Sequence, residues 1–479
     1  PGLAYAGPGF RGVDALLAGG VSFDPASLFG GLGGGTGVPR VPPPAASGTP
    51  GTGGVGVIAT GASTVINAGT IAGGVSGAST PVQADAVDFS GGGNTLVIEA
   101  GAKFIGNVVS SSGSTNGGDT FELGGNINAS GGNVFNLASI VSTAPASYSG
   151  TPVFYGFMNY AKSGTSTWTL TGTGNASQNW MISGGTLVGS TTSLLGNVTF
   201  NTAAGAATPD VTFDQASNGT YAGLISGNGS LTLEGGGGLT LTADNSYSGG
   251  TTINAGTLKV GTGGATGAIG AGNVIDNGAL VFDLSSGTLV DGVISGSGSL
   301  TQMGTGATIL DGIDTYTGGT TVSAGTLEIG DATHTNAAIA GNVSVAAGAT
   351  LRGHGTIGGN VTNAGTVMPG GSLGILTVNG NYTQGSGATL ALGVSPRTVA
   401  GSGYSQLQVG GTASLDGGLL IEPLAGNYTI GSMYDLLHAT GGVSGTFAST
   451  FDNPAFATYL TPVVTYSAND VTLQLNANA

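Results

Sequence analysis

Three histidines, His334, His354 and His438, are the side chains in this sequence best suited to acid–base or metal chemistry. They are scattered along the chain, and none has a metal-ligand partner at a spacing typical of a metal site. His354 lies in LRGHGTIGG, a turn-like stretch that predicts an exposed loop. We therefore predict no catalytic residue and no metal site among the histidines.

A serine-containing stretch, GGSLG at residues 370–374, is the nearest approach to a nucleophile motif. It is similar to the GDSL block of esterases, but the aspartate is absent. A serine nucleophile also needs a base such as histidine beside it in a cleft. We interpret the stretch as a glycine turn between strands. Since no GxSxG elbow in a strand–helix context and no GDSG-like protease block occurs, we predict no catalytic residues.

Two turn-like stretches, GGNTLVIE at residues 92–99 and GGDTFELGG at residues 117–125, resemble the calcium-binding nonapeptide of β-rolls. That motif needs tandem copies, because Ca²⁺ takes about six to eight oxygen ligands. Here each Asp or Asn stands alone, so we predict turns with an Asx side chain and no metal or other cofactor. Arg352 and Arg397 have no acidic neighbours in the sequence that would suggest a pectate-lyase-type site.

The composition narrows the classes of function. Only 6% of the 479 residues are charged, and the formal net charge is -16. Seven Lys and Arg residues argue against nucleic acid or an anionic membrane as a partner, because binding phosphates needs clustered cations. The absence of cysteine excludes disulfides and thiolate metal sites. No run of ~18 apolar residues predicts a transmembrane helix.

Glycine, at 98 residues, has no collagen-like period and therefore must serve turns. It is joined by proline in residues 1–54, which we interpret as a Gly/Pro-rich N-terminal segment or linker. Within this segment, PGFRGVDALLAGG at residues 8–20 predicts one short helix. No signal peptide is visible at Pro1, so we expect the precursor to begin further upstream.

From residue 55 onward, short apolar–polar alternations separated by turn residues predict many short strands. Two phrases are nearly identical: YSGGTTINAGTLKVG begins at Tyr247, and YTGGTTVSAGTLEIG begins at Tyr316, 69 positions later. The same register holds over residues 224–261 and 293–330. A weaker third copy, ISGGTLVG, lies upstream at residues 182–189. A repeat of this length predicts a packing unit that cannot bury its apolar side without neighbours.

Such a repeat favours a β-solenoid, in which parallel strands stack coil on coil, and three coils of about 23 residues would fit one repeat. We expect Ile253, Leu258 and Val260 to point into a thin core and the glycine pairs to turn corners. Lys259 is expected to face water, where Glu328 replaces it freely. A β-propeller is the competing architecture, but its blades of ~40–50 residues usually carry aromatic signatures, and this chain has only two tryptophans.

Asparagine recurs in GNV phrases, at Asn107, Asn197, Asn273, Asn342 and Asn360. One interpretation is sugar modification or recognition. The other is that asparagine tolerates left-handed turn geometry and stacks as a ladder between coils. We favour the ladder.

The phrase GGTTxxAGTLxxG resembles the repeat of bacterial autotransporter passenger domains, the secreted part of type V secretion proteins. Downstream, GGSLGILTVNGNYTQGSGATLAL is similar to the stretch before the autochaperone region, and YSQLQVGGTASLDGGLLIEP with YDLLHATGGVSGTFAST resembles the autochaperone itself. The resemblance implies an all-β fold with a right-handed parallel β-helix at residues 55–400 and an autochaperone-like C-terminal cap at residues 401–479. It also implies export through the periplasm and the outer membrane, with the translocator barrel absent from this sequence.

The resemblance leaves the activity open, because passengers with different functions share the β-helical stalk. We expect a protein secreted from, or displayed on, a Gram-negative cell that acts as an adhesin or self-association factor in aggregation and biofilms. Its expected partners are itself or a host or surface ligand, together with its own translocator in the precursor. One alternative is an esterase- or protease-like enzyme whose active part is the irregular region at residues 139–179, which we prefer to interpret as a hydrophobic side loop. Another is a structural spacer or an assembling extracellular element.

Overall fold

The computed structural model describes residues 2–6, 15–17, 53–202, 205, 207–452 and 460–478. In these ranges the regular structure is β-strand except for two short 3₁₀ turns, Thr115–Gly117 and Leu137–Ser139. The helix predicted at residues 8–20 is wrong where it can be compared, because Ala15–Leu17 is a strand that pairs in parallel with Val57–Thr60. The rest of that prediction, like most of the N-terminal segment, lies outside the described residues.

The chain divides into two compact units, residues 1–212 with 227–229, and residues 213–226 with 230–479. Within each unit, strands pair in parallel with the strands of the preceding and following coils. Each coil contributes one strand to each of several stacked sheets, which is the arrangement of a parallel β-helix. The predicted fold class is therefore confirmed.

The first unit contains three stacks of parallel strands and a separate strand pair. The first stack is Gly2–Ala6, Ser63–Asn67, Thr95–Ile98, Thr120–Leu123, Asn159–Lys162, Trp180–Ile182 and Val198–Phe200. The second is Ala15–Leu17, Val57–Thr60, Val87–Ser90, Val108–Ser110, Phe154–Tyr155 and Ile140–Val141. The third includes Asn133–Asn136, Thr167–Thr171 and Thr186–Gly189, and the separate pair is Thr70–Ala72 with Lys103–Ile105. Asp210–Asp214 and Ile225–Gly227 contain the division points between the units.

The second unit contains one sheet of eleven strands and two of eight. The eleven are Gly219–Tyr221, Gly238–Leu241, Thr257–Val260, Ala279–Phe282, Ser299–Gln302, Thr320–Val322, Val343–Val345, Val361–Asn363, Tyr382–Gln384, Ala413–Leu415 and Val443–Gly445. One set of eight is Thr288–Val290, Ala307–Leu310, Thr326–Ile329, Thr350–Gly353, Thr366–Pro369, Thr389–Val394, Gly418–Pro423 and Ser449–Asp452. The other is Ile313–Asp314, Ala338–Ile339, Thr356–Ile357, Ile375–Val378, Gln406–Val409, Met433–Ala439, Asp470–Ala477 and Leu460–Tyr466. A further stack holds Ser230–Glu234, Thr251–Ile253, Val274–Asp276 and Ile294–Ser295, and Ser246–Tyr247 also belongs to this unit.

The coils of the second unit are not equal in length. Along one stack, Leu231 pairs with Thr251, Thr251 with Val274, and Val274 with Ile294, so the first and third of these coils are shorter than the second. The two copies of the repeat also lie on different faces, because Thr320–Val322 is in the eleven-stranded sheet and its counterpart Thr251–Ile253 is not. One repeat therefore spans three coils plus the step from one sheet to the next. The expectation of three equal coils is wrong.

The inward positions of the repeat are as predicted. Ile253, Leu258 and Val260 are completely buried, and the equivalent residues of the second copy, Val322, Leu327 and Ile329, are buried as fully. Alternation along each strand sends these side chains to one face of the sheet, and stacking of the coils then removes them from water. Burial of each such side chain contributes about 1.5–3 kcal/mol.

The outward positions of the repeat form ion pairs with the next coil. Lys259 Nζ lies 2.6 Å from Asp283 Oδ2, and Arg352 NH2 lies 2.7 Å from Glu328 Oε2. Asp283 and Arg352 are themselves 69 positions apart in the sequence. The two copies therefore hold the same pair with its charges exchanged. We expected Glu328 to replace Lys259 freely, and this is wrong. The change of charge at this position is compensated by an opposite change of charge at the partner position.

We expect Lys259→Glu to destabilise the second unit by about 0.5–1 kcal/mol, since it places like charges on adjacent coils. Adding Asp283→Arg should restore the stability, because the double variant reproduces the pair of the second copy. A double-mutant cycle of urea unfolding would measure the coupling. If the two single changes simply add in the double variant, the pair makes no contribution.

The asparagine ladder is confirmed, but the left-handed geometry predicted with it is wrong, because Asn116 is the only asparagine of the described residues with a positive φ and it lies outside the GNV phrases. Asn342 Oδ1 accepts the backbone N–H of Asn360 at 2.8 Å, Asn360 Oδ1 accepts that of Asn381 at 2.8 Å, and Asn381 Oδ1 accepts that of Thr412 at 2.9 Å. Each side chain thus satisfies a backbone donor in the following coil, at a corner where no strand partner is available. Asn197 also takes part, donating its N–H to Asn179 Oδ1.

The C-terminal strands change direction. Parallel pairing persists as far as Gly418–Pro423 with Ser449–Asp452, whereas Asp470–Ala477 pairs antiparallel with both Met433–Ala439 and Leu460–Tyr466. A hairpin laid across the end of a coil covers strand edges that would otherwise be open to pairing with other chains. The predicted division into β-helix and cap at residue 400 stays a prediction.

Candidate functional site

A pocket of about 620 Å³ lies in the first unit. Its walls come from the turn at residues 99–102, from Lys103–Ile105, from Asn133–Asn136 and from the irregular chain around Tyr148. Its lining includes the nearly buried aromatic rings of Phe104, Phe135, Phe154 and Trp168. Apolar walls with a few polar groups at the opening are typical of ligand sites.

The aromatic lining of the pocket continues into the core of the first unit. The Phe121 ring lies 4.8 Å from that of Phe135, 5.4 Å from that of Phe154 and 5.8 Å from that of Phe157. The last two contacts are edge-to-face, the geometry that aromatic quadrupoles favour. These packed rings lie behind the aromatic lining of the pocket.

The rim of the pocket is partly apolar and open to solvent. Ile105 is 44% exposed and Val134 is 57% exposed, beside the polar side chains of Glu99 and Lys103. Asn133 is buried and donates from Nδ2 to the carbonyl oxygen of Thr167, which fixes the strand that carries Val134. The rim therefore combines exposed apolar groups with both signs of charge.

The irregular region at residues 139–179 is built into the coils. Phe154–Tyr155, Asn159–Lys162 and Thr167–Thr171 are strands of the parallel stacks. The preferred interpretation, a hydrophobic side loop, is thus wrong for these strands, where Phe154, Tyr160 and Trp168 are buried in the core. Residues 142–153 and 172–179 form no strand, and in the first of these segments the Tyr148 hydroxyl donates to the Gly150 carbonyl oxygen at 2.8 Å.

This region contains a buried lysine that was not predicted from the sequence. Lys162 is completely buried, and its Nζ donates to the carbonyl oxygens of Ser163 at 2.7 Å and Gly184 at 3.0 Å. Burial lowers the pKa of this ammonium to about 8, while the nearby charge of Glu122 acts in the opposite direction. Because backbone carbonyls satisfy its donors, Lys162 serves to join two coils.

The prediction that His354 lies in an exposed loop is wrong. It is half-buried, and its Nε2 lies 3.0 Å from the carbonyl oxygen of Leu373. That carbonyl belongs to the GGSLG stretch, where Gly370 and Gly371 have positive φ values of 72° and 68°. The ring therefore bonds to the backbone of a glycine turn, as interpreted from the sequence, and its hydrogen bond is not to a serine hydroxyl.

The stretches that resemble calcium nonapeptides hold their carboxylate in a protein hydrogen-bond network. Asp119 is completely buried, and its Oδ2 accepts from the hydroxyls of Ser110 and Ser112 at 2.7 Å. Its Oδ1 accepts from the backbone N–H and the side-chain amide of Asn94, both at 2.9 Å. The two stretches thus bond to each other across coils through Asx side chains.

Two groups of His and Asp residues come together that the sequence analysis missed. Asp311, Asp331 and His334 form one, and Asp435, His438 and Asp470 form the other. The second combines a carboxyl whose pKa burial raises to about 6, Asp435, with one whose pKa the hydrogen bond from His438 lowers, Asp470. The first group could have been detected from the sequence. Its three residues differ in chemical type from their equivalents 69 positions earlier in the other copy of the repeat, which are Thr242, Thr262 and Ala265.

Comparison with known proteins accounts for the repeats. Residues 161–188, 231–260 and 300–329 match the family described as passenger-associated-transport-repeat. A stretch of 83 residues, 17% of the chain, is 46% identical to the adhesin BmaC autotransporter of Brucella suis biovar 1 (strain 1330), and the match covers 2% of that protein. The crystal structure of the Haemophilus influenzae Hap adhesin aligns with 88% of this chain and 56% of its own, at 11% identity and a TM-score of 0.32. A similarity that low carries no argument about this chain.

The class of protein follows from the repeats and the coils together. A parallel β-helix with three passenger-associated transport repeats is the arrangement expected of autotransporter passenger domains, so the predicted resemblance is confirmed. The first of the three matches contains most of the weaker copy recognised upstream. Such a passenger is secreted from, or displayed on, a Gram-negative cell. In the described part of the chain, no helix is long and apolar enough to cross a membrane.

Proposed function

We propose that this passenger acts as an adhesin. The observation that carries the proposal is the set of three passenger repeats, together with an 83-residue stretch 46% identical to an autotransporter named as an adhesin. The chain spans about 2% of the length of that relative, so the activity is argued from this chain's own surface.

The pocket of the first unit is the proposed contact site. Its exposed apolar rim, formed by Ile105 and Val134, loses contact with water when a partner binds. The packed aromatic rings of its lining have little conformational freedom to lose, which limits the entropy that binding costs. A partner is expected to be either a second copy of the passenger or a ligand on a host surface.

The proposal includes that the passenger acts without catalysing a reaction. Within the described residues, the histidine nearest to the GGSLG stretch bonds to a backbone carbonyl oxygen, whereas a serine nucleophile needs that nitrogen as its base. An esterase- or protease-like passenger remains the alternative that a hydrolysis assay on the purified protein would reveal.

The test uses cells that display the passenger. Val134→Asp is expected to reduce cell–cell aggregation or surface attachment at least about tenfold, because it puts a charge into the apolar contact. Leu289→Asp is the matched control, since Leu289 is 52% exposed and lies in the second unit. Mixing displaying and non-displaying cells separates self-association from binding to another ligand. If Val134→Asp and Leu289→Asp behave alike, the pocket is not the contact site, and if display causes neither aggregation nor attachment, the adhesin proposal fails.

A further inference from the structure

Two consecutive coils of the second unit bring three potential metal ligands together. The strands Ala307–Leu310 and Thr326–Ile329 pair in parallel, with Leu310 opposite Ile329. Asp311 follows the first strand directly, and Asp331 and His334 lie in the turn that follows the second. The parallel register therefore sets a carboxylate of one coil against a carboxylate and an imidazole of the next.

The ligand atoms form a small triangle. His334 Nδ1 lies 3.1 Å from Asp311 Oδ2 and 2.9 Å from Asp331 Oδ1, and all three ligand atoms lie within 4.8 Å of one another. A divalent ion bound at about 2.0–2.2 Å from nitrogen and oxygen ligands separates them by roughly 3–3.5 Å. The two distances to His334 Nδ1 thus lie close to that range.

Asp311 supplies an independent observation. Its side chain is 6% exposed, and its Oδ1 is buried without a hydrogen-bond partner. A buried carboxylate with one unsatisfied oxygen and a second carboxylate nearby is costly unless a cation lies beside it.

The ligand types select the ion. One imidazole with two carboxylates suits Zn²⁺ and similar transition metals, whereas Ca²⁺ takes oxygen ligands alone. We propose that Asp311, Asp331 and His334 bind one divalent transition-metal ion, with Zn²⁺ as the probe, and that this ion joins two consecutive coils. His334 and Asp331 are 49% and 42% exposed, so the ion is reached from solvent, and water completes its coordination.

The other copy of the repeat provides matched variants. The equivalent positions in that copy are Thr242, Thr262 and Ala265. The fold accepts these smaller side chains at the equivalent turns of the other copy, so Asp311→Thr and His334→Ala are expected to fold. The reciprocal triple variant, Thr242→Asp with Thr262→Asp and Ala265→His, transfers the ligand set to the other copy.

The experiment measures Zn²⁺ binding to the full chain by calorimetry, with Co²⁺ absorption to report the coordination. The wild type is expected to bind Zn²⁺ at this site, and Asp311→Thr or His334→Ala to weaken that binding about tenfold or more. His438→Ala, which alters the second His–Asp group, should leave this site intact. The reciprocal triple variant should gain one equivalent of bound ion.

Three results would overturn the assignment. They are no Zn²⁺ binding by the wild type, unchanged binding in His334→Ala, or Ca²⁺ binding as tight as Zn²⁺ and indifferent to His334→Ala. The last result would mean that acidic surface charge alone collects cations. Circular dichroism of each variant confirms that its β-structure is intact. The inference is independent of adhesion, because binding is measured on the purified chain without cells.

Discussion

Replacing Asp314 with asparagine is expected to stabilise the second unit by about 2–4 kcal/mol at pH 8 and to have little effect at pH 4. Asp314 is 2% exposed, and its Oδ1 accepts the backbone N–H of Ile294 at 2.7 Å. Its Oδ2 is buried and has no hydrogen-bond partner. Burial raises the pKa of this carboxyl to about 7, so near neutral pH the wild-type chain begins to hold an uncompensated charge in its core.

The direction of the pH dependence follows from the two states. The unfolded chain releases this proton near the ordinary value of 3.8, whereas the folded chain keeps it until about pH 7. Between these values the folded state binds more protons, so stability is highest in acid and falls as the pH rises towards 7. The asparagine variant keeps the acceptor for Ile294, has no proton to lose and therefore lacks this fall.

The other copy of the repeat contains the control. Asn245 occupies the position equivalent to Asp314 in that copy, and its Oδ1 accepts the N–H of Ile225 at 2.8 Å. Its Nδ2 donates to the carbonyl oxygens of Ala243 at 3.1 Å and Ala268 at 2.8 Å. Asn245→Asp should therefore lose stability at pH 8 while Asp314→Asn gains it. Urea unfolding at pH 4.5 and pH 8 measures both, and a gain for Asp314→Asn that is equal at the two pH values would contradict the account.

The repeat made the core positions predictable. Inward residues such as Leu258 and Leu327 are specified locally, since apolar and polar residues alternate along each strand and the corners are marked by glycine. The asparagine ladder was predictable for a similar reason. Asn342 and Asn360 lie in two successive occurrences of the GNV phrase, so the side chain of the first meets the backbone of the second in the next coil.

The length of each coil, and the sheet that each strand joins, were not predictable from the repeat length of 69 residues. The repeat divides equally well into three coils of equal length or into coils of unequal length plus the step from one sheet to the next. Only the register, such as Leu231 with Thr251, decides between them. Contacts one coil away depend on that register, which is why the partners of Lys259 and Arg352 were missed.

The candidate sites were hidden by the same uncertainty. Asp311 and His334 are more than one coil apart in sequence, and only the pairing of Leu310 with Ile329 brings them together. The pocket depends on bulky rings, Phe135 and Trp168 among them, from strands whose position in the stack cannot be inferred from a region that lacks the clear repeat. Its irregular sequence was recognised, but the burial of its aromatic residues was not.

Gly256→Ala is expected to destabilise the second unit by about 2–4 kcal/mol. Gly256 turns a corner of the repeated phrase with φ at 77°, in the left-handed region that costs other residues roughly 1–2 kcal/mol. A Cβ at this position would also overlap the carbonyl oxygen of Gly237 in the preceding coil. Relief of that overlap would separate two coils whose strands pair on either side of the corner.

Gly236 provides the matched control in the same unit. It is exposed, and a Cβ added there meets no atom within 4 Å. Gly236→Ala should therefore stay within about 0.5 kcal/mol of the wild type or stabilise slightly, because alanine restricts the unfolded chain. Gly325→Ala, at the equivalent corner of the second copy with φ at 62°, should match Gly256→Ala. Equal unfolding midpoints for the alanine variants at 236 and 256 would mean that the corner can relax, and that glycine serves there only as a small residue. A large difference would show that the repeated glycine is required by backbone conformation and by the close approach of coils.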